Sequence, residues 1–299
     1  MAVMLDIDSF IAYLGSEKRR SPATISAYRA DLEGFESYFK GLDSCLEWEG
    51  VDGDVVRSWM EWMLDKGNSA RSVGRRLSAL RSMYRFALSR GLVGSDPTRL
   101  VDAPKKPKPL PCFVGEGAMD TLLDDVLWGD SYEDVLAKAI VTVFYGTGIR
   151  LSELVGLECA AVDMKSQQLK VRGKRDKDRI VPFGRDVESA LSLYSEQRSR
   201  LPGGTESAFF LWKDGKPLSA QRVRREISKR LGLVSSQRKR TPHVLRHSFA
   251  TSMLNNGASL EVVRKLLGHA SLSTTEVYTH VSFEQMSKEY ENAHPRVKS

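Results

Sequence analysis

Three cysteines in 299 residues, Cys45, Cys112 and Cys159, are too few, too widely spaced and too far from any C-x-x-C pattern to suggest a disulfide framework or a thiolate zinc site. No apolar run approaches the roughly 18 residues of a membrane span. The start "MAVMLDID" lacks the basic and apolar regions of a signal peptide, so a cytoplasmic chain without membrane attachment is expected. There is no internal repeat and no low-complexity tract. The G-x-S-x-G elbow of α/β-hydrolases is absent. Acidic residues are scattered rather than grouped, which speaks against a two-metal centre. His243 and His247 stand four apart, but Val244 occupies the place of the glutamate that zinc proteases carry there, and no nearby Asp or Glu completes a shell. Neither a metal nor a cofactor is expected.

What is present is an ordinary globular composition, 41% hydrophobic and 28% charged, in a chain long enough for two domains with their own cores. The 45 Lys and Arg exceed the 38 Asp and Glu, a formal charge of +7. That balance suits a polyanionic partner, although many proteins with other partners share it.

Residues 1–103 read as helices throughout. "SPATISAYRADLEGFESYFK" opens with Ser21 as N-cap and Pro22 at the first helical position. Ile25, Tyr28, Leu32, Phe35 and Phe39 then recur at steps of three and four, the spacing of one buried face. A third helix around Val55, Val56, Trp59, Met60 and Met63 ends at Gly67. A fourth begins at Ser69, with Val73, Leu77, Leu80, Tyr84 and Leu88 inward and Arg71, Arg75, Arg76, Arg81 and Arg85 on other faces. Those arginines fit a phosphate-binding surface or a merely solvated one.

"DAPKKPKPLP", residues 102–111, has four prolines, three lysines and no apolar periodicity. It marks a semi-extended, basic linker at 104–111, suited to lie along a phosphate backbone. The second domain, 112–299, starts with apolar helices broken at Gly146 and Gly148. In "QQLKVRGKRDKDRIVPF", Leu169 and Val171 alternate before a polar turn and Ile180, Val181 and Phe183 follow it, the pattern of a hairpin. "FFLWKDGKPL" adds an extended piece with a turn at Asp214-Gly215. The rest is helical: Ser219 to Gly232, Thr241-Pro242 to Gly257, Ser259 to Gly268, Ser273 onward and Ser282 onward. Ser273-x-x-Glu276 and Ser282-x-x-Gln285 have capping-box form. The expected fold is mainly α with a small β-hairpin or sheet, an all-helical first domain followed by an α+β second one.

All five histidines, His243, His247, His269, His280 and His294, fall in the last 57 residues. On the helix after Thr241-Pro242, His243 and Arg246 share a face, and an imidazole beside a guanidinium fork suits two phosphate oxygens. H-x-x-R alone is also a common surface pattern. Arg150 follows the glycine-broken turn "YGTGIR" and opens a helix, where phosphate is favoured. A structural ion pair with Glu153 or Glu158 is the alternative for it.

Five separated stretches, "GTGIRLSEL", "GKRDKDRIVPF", "TPHVLRHSFAT", "LLGHASLSTTEVYTHV" and the terminal "HPR", resemble the tyrosine recombinases of the phage integrase family in order and spacing, and most closely the Xer type. The resemblance covers essentially the whole chain. It implies a helical, SAM-like core-binding domain and a catalytic domain closing as a C-shaped clamp on DNA. It also implies that Arg150, His243, Arg246 and His269 surround a scissile phosphate, with Lys174 on the hairpin turn and Tyr278 as nucleophile; Arg175 and Lys177 are the neighbours with which Lys174 is most easily confused. His280 falls on a different face from Tyr278.

The residue types suit that chemistry. Attack of a phenol on a phosphodiester builds negative charge that two fixed guanidiniums neutralise without a metal. A phenol of pKa near 10 needs a base, the role implied for His243; Lys174 is the implied acid for the departing 5′ oxygen, and His269 a phosphate ligand. The 3′-phosphotyrosyl link conserves bond energy for rejoining, and two rounds through a Holliday junction exchange both strands.

On the helix from Ser219, Val223, Ile227 and Leu231 form an inner stripe, leaving Arg222, Arg225 and Lys229 on an outer face suited to a DNA groove. With the family's plan in view, Arg71, Arg75 and Arg76 become DNA-binding candidates too. Phe283, Met286 and Tyr290 form a stripe on the last helix that packs on its own domain or docks into a neighbour. The implied assembly is a homo- or hetero-tetramer on paired inverted-repeat sites, with a second Xer-type recombinase and a DNA translocase as possible partners, acting in resolution of chromosome or plasmid dimers. Rival readings are an integrase of a phage or mobile element, a DNA-binding regulator that retains the fold, and a type IB topoisomerase. The presence of all six catalytic positions speaks against the regulator, and the compact chain with its Xer-like terminal motif against the topoisomerase.

Overall fold

The computed structural model describes residues 5–105, 112–173, 178–202, 207–237, 239–268 and 282–297. The chain divides into two compact units, Met1–Pro109 and Leu110–Ser299. Among the described residues no helix is long and apolar enough to cross a membrane.

The first unit holds α1 (Ile7–Ser16), α2 (Pro22–Leu42), α3 (Gly53–Asp65) and α4 (Ala70–Ser89). Each begins where a side chain satisfies an orphan N–H: Asp6, Ser21, Asp52 and Ser69 accept from the first turn of the helix that follows. The inner faces close on Phe10, Phe35, Phe39, Trp48, Trp59 and Leu80. The Tyr84 hydroxyl lies in that core and donates to the Trp48 carbonyl at 2.8 Å. Leu88, expected inward, is 40% exposed, since in the last turn of α4 it is Phe86 and Ala87 that face the core.

The second unit holds α5 (Glu116–Leu123), α6 (Tyr132–Thr147), α7 (Leu151–Val155), β1 (Val162–Asp163), β2 (Gln168–Arg172), β3 (Asp178–Pro182), α8 (Arg185–Arg198), α9 (Ala220–Val234), α10 (Pro242–Asn255), α11 (Leu260–Leu267) and α12 (Phe283–Ala293). The centre is α6, buried on nearly every side from Val135 onward, as its continuous apolar run requires. It packs against α8, α9 and α10. The expected hairpin is there, with Leu169 opposite Val181, and β1 extends it to a three-stranded antiparallel sheet. Leu169, Val171 and Val181 face the core while Ile180 stays outside. Helix α9 continues past Gly232 to Val234, two residues beyond the expected stop.

The break expected at Gly146 does not occur. Gly146 lies inside the last turn of α6, where a Cβ would stand 2.4 Å from Val187 Cγ2 of α8, so the residue serves close helix packing. The helix ends at Gly148, which is left-handed at φ 61° and whose N–H returns to the Phe144 carbonyl. A Cβ on Gly148 would meet Phe249 Cδ1 at 2.4 Å. Gly148→Ala is therefore expected to destabilise the protein by roughly 2 to 5 kcal/mol, combining left-handed strain with overpacking. An unchanged urea midpoint for this variant would contradict that account.

The C-terminal stripe packs on its own domain, with Met286, Tyr290 and Ala293 buried against α10 and α11. The Tyr290 hydroxyl donates to the Gly146 carbonyl at 2.8 Å, and His294 Nε2 lies 3.2 Å from the Tyr145 carbonyl. The Arg296 backbone N–H donates to His294 Nδ1, so Nε2 carries the ring proton. Burial pushes this imidazole down to about 4, and it is neutral at physiological pH. Arg296 pairs with Asp186 and Asp120. The terminal "HPR" thus ties itself to the end of α6 through His294 and to α5 and α8 through Arg296.

Candidate active site

Two of the expected catalytic arginines come together from residues almost a hundred apart in sequence. Arg150 is the N-cap of α7, immediately beyond the Gly148 turn. Arg246 lies one turn into α10, which Thr241 and Pro242 open. Arg246 is buried, and its guanidinium donates to the Gly148 carbonyl and to the Leu267 carbonyl, both at 2.6 Å. Burial, with Arg150 alongside, lowers it to about 10, still a full cation at neutral pH. Arg150 is 26% exposed on its side chain and donates to the Gly268 carbonyl at 2.6 Å and to Glu153 at 2.7 Å.

The ion pair with Glu153, weighed as the alternative to a phosphate role, is present. Glu153 is buried, and burial alone would raise its pKa. Hydrogen bonds from Arg179 and from the Arg150 backbone N–H, together with the charges of those arginines, outweigh that and hold it below its ordinary value. Glu153 was weighed as a partner of Arg150, whereas Arg179 was not expected at the site. A signal for Glu153 existed, since it sits three residues into the helix that Arg150 caps. Arg179 carried none, because it lies on β3 and reaches the site only through the fold.

His243 stands one turn before Arg246 on the same helix and is exposed. Desolvation first, then the charges of Arg246, His247, Arg224 and Arg150, depress its pKa below 6.5. A neutral imidazole is the form that accepts a proton. Because the folded value is depressed, the proton-accepting form persists through neutrality and is lost only as pH falls below 6.5. Single-turnover cleavage is expected to be flat around pH 7 and to fall on the acid side, and His243→Asn should remove that limb. An acid limb unchanged in this variant would rule out His243 as its source.

Lys174, His269 and Tyr278 lie outside the described residues, as do most of the linker and the Ser273 cap. The described chain ends its approach to them at Gly268, left-handed at φ 63°.

Among the expected groove residues, Val223, Ile227 and Leu231 are fully buried, which leaves Arg225 and Lys229 exposed. Arg222 stacks over Trp212, 4.0 Å from the ring centroid. In the first unit Arg71 is exposed. Arg75 is bound by Asp31, and Arg76 donates to Asn68 Oδ1 at 3.1 Å, so both are partly committed to their own domain.

A helical unit followed by a mixed unit that brings two arginines together is the plan that the resemblance implies for a DNA strand-transfer enzyme. Residues 7–91 match the N-terminal SAM-like domain of phage integrases and residues 119–285 match the phage integrase family. The chain belongs to this family, the tyrosine recombinases. Similar proteins include the tyrosine recombinase XerC of Chlorobaculum parvum, 40% identical over 97% of this chain and 94% of the relative. The XerC of Salmonella typhi is 38% identical over 100% of this chain and 98% of its own length. Within the family the chain is of the Xer type. Among solved structures, XerH bound to a palindromic difH substrate in a post-cleavage complex shares the fold, with a TM-score of 0.70 at 18% identity over 96% of this chain and 84% of that one. The Tn1549 transposon integrase in complex with circular intermediate DNA also shares it, at 0.70 and 19% over 96% and 99%.

Proposed function

We propose that this recombinase resolves chromosome or plasmid dimers in the cytoplasm at cell division, acting as a tetramer on two copies of an inverted-repeat DNA site. The observation that supports it is the pairing of Arg150 and Arg246 on the carbonyls of Gly268 and Leu267, one and two residues before the segment that carries His269 and Tyr278. The phenolic oxygen of Tyr278 attacks the scissile phosphorus, His243 takes its proton, and the bond to the 5′ oxygen breaks as Lys174 protonates it. Arg150, Arg246 and His269 hold the non-bridging oxygens as their charge grows. Rejoining reverses these steps with the partner strand's 5′ hydroxyl. A related second recombinase and a DNA translocase would complete the assembly.

Arg225 and Lys229 on α9, with Arg222 stacked on Trp212, are the groove-facing set of the catalytic unit, and Arg71 is the most available of the α4 arginines. Sequencing recombination junctions from cells with and without the protein tests the biological role. One chromosomal inverted-repeat site whose junctions vanish with the protein is the expected result. Junctions confined to the ends of a mobile element would replace this role with integration.

A further inference from the structure

Arg179 has no part in the chemistry assigned above, yet it touches both halves of the site. It stands on β3 with its side chain 15% exposed. Two of its nitrogens bond the two carboxylate oxygens of Glu153 at 2.6 and 2.9 Å, and its Nε donates to the Leu266 carbonyl at 3.0 Å. Glu153 also accepts from the Arg150 backbone N–H and the Arg150 guanidinium, each at 2.7 Å, so each of its oxygens receives two donors. Three successive carbonyls at the end of α11, those of Leu266, Leu267 and Gly268, are thereby bound by three arginines from β3, α10 and the start of α7. A helix C-terminus is the negative end of its dipole and suits such cations.

We propose that Arg179 is a positioning residue of the cleavage site, holding Glu153 against Arg150 and clamping the end of α11 from which the nucleophile segment departs. Two consequences follow from its charge and shape. A Glu153–Arg150 pair alone would be neutral, whereas with Arg179 the trio keeps one net positive charge beside Arg246. The planar fork also fixes the carboxylate in two places, which leaves Arg150 little freedom to swing. Gly268 permits the close approach: a Cβ there would lie 3.0 Å from the Arg179 guanidinium, at a backbone angle that disfavours side chains.

The inference rests on the reading of Arg150 as a phosphate ligand, and its test keeps the two apart. Full-length protein is assayed on a nicked duplex carrying the mapped site, with DNA affinity and single-turnover formation of the covalent complex measured separately. Arg179→Ala is expected to bind within about threefold of wild type but to cleave on the order of 10²-fold more slowly, the scale of a 1 Å misplacement. Arg179→Lys keeps the charge without the fork and should stay roughly tenfold or more below wild type. It also carries the same comparison should the alanine variant fail a thermal-melt check. In a Glu153→Gln background, adding Arg179→Ala should cost far less than in wild type, since one route runs through Glu153. Cleavage by folded Arg179→Ala at the wild-type rate, or a loss matched by lost affinity, overturns the inference. Wild-type cleavage by Arg150→Ala overturns the site reading itself.

Discussion

Tyr278→Phe is expected to bind its DNA site with unchanged affinity and to form no covalent complex. The change removes one oxygen and almost no volume, so the phenolic hydroxyl is the one group lost. Without that oxygen the proposed bond to phosphorus cannot form, and the roles proposed for His243, His269 and Lys174, proton transfer and phosphate binding, supply no replacement nucleophile. On a labelled nicked duplex, the wild type traps as a protein–DNA adduct resistant to denaturant, while the variant should show a retarded complex under native conditions and nothing after denaturation. Adduct at wild-type yield in the variant would remove Tyr278 from the reaction. The assignment draws on the family resemblance of "LGHASLSTTEVYTH" and on the anchoring of its first residues: Leu267 and Gly268 are bound by Arg246 and Arg150, so the chain leaves for Tyr278 from beside these two arginines.

Loss of Arg246 should be the next most damaging change. Arg246→Ala removes one of two guanidiniums that meet the growing charge, a loss of about 10² to 10³ in cleavage rate. It also strands the buried carbonyls of Gly148 and Leu267, which both accept from this side chain. Each stranded carbonyl costs on the order of 1 to 3 kcal/mol, so a lower unfolding midpoint should accompany the rate loss. Arg246→Lys separates the two effects. It retains a cation, but one ammonium cannot reach both carbonyls and present a flat fork to phosphate, so stability should recover more than rate. Equal recovery of both would show that charge alone matters at this position. DNA affinity should change little in either variant, because one phosphate contact is a small part of the DNA interface proposed above.

The helices were legible because their signals are local. Ser21, Ser69, Ser219, Ser259 and Ser282 each cap the helix they were expected to start, and the apolar spacing of α2 and α9 matches the faces they bury. Glycine was less legible. Gly148 and Gly268 end helices in the left-handed region, whereas Gly146, two residues from one of them, lies within α6 where Val187 leaves no room for a Cβ. A string of letters shows the glycine without showing whether a backbone angle or a neighbour requires it.

The sequence by itself determined the family: its motifs, in their order and spacing, mark a tyrosine recombinase, and that resemblance implies Arg150, Lys174, His243, Arg246, His269 and Tyr278 as the catalytic set. The tertiary structure alone decided what holds two of those residues in place. Arg179 meets Glu153 across 26 positions, Arg246 meets Gly148 across 98, and Arg150 meets Gly268 across 118. Contacts over such separations leave no periodic trace, because a carbonyl accepts from whichever guanidinium the packing of α6, α10 and β3 brings within about 3 Å of it.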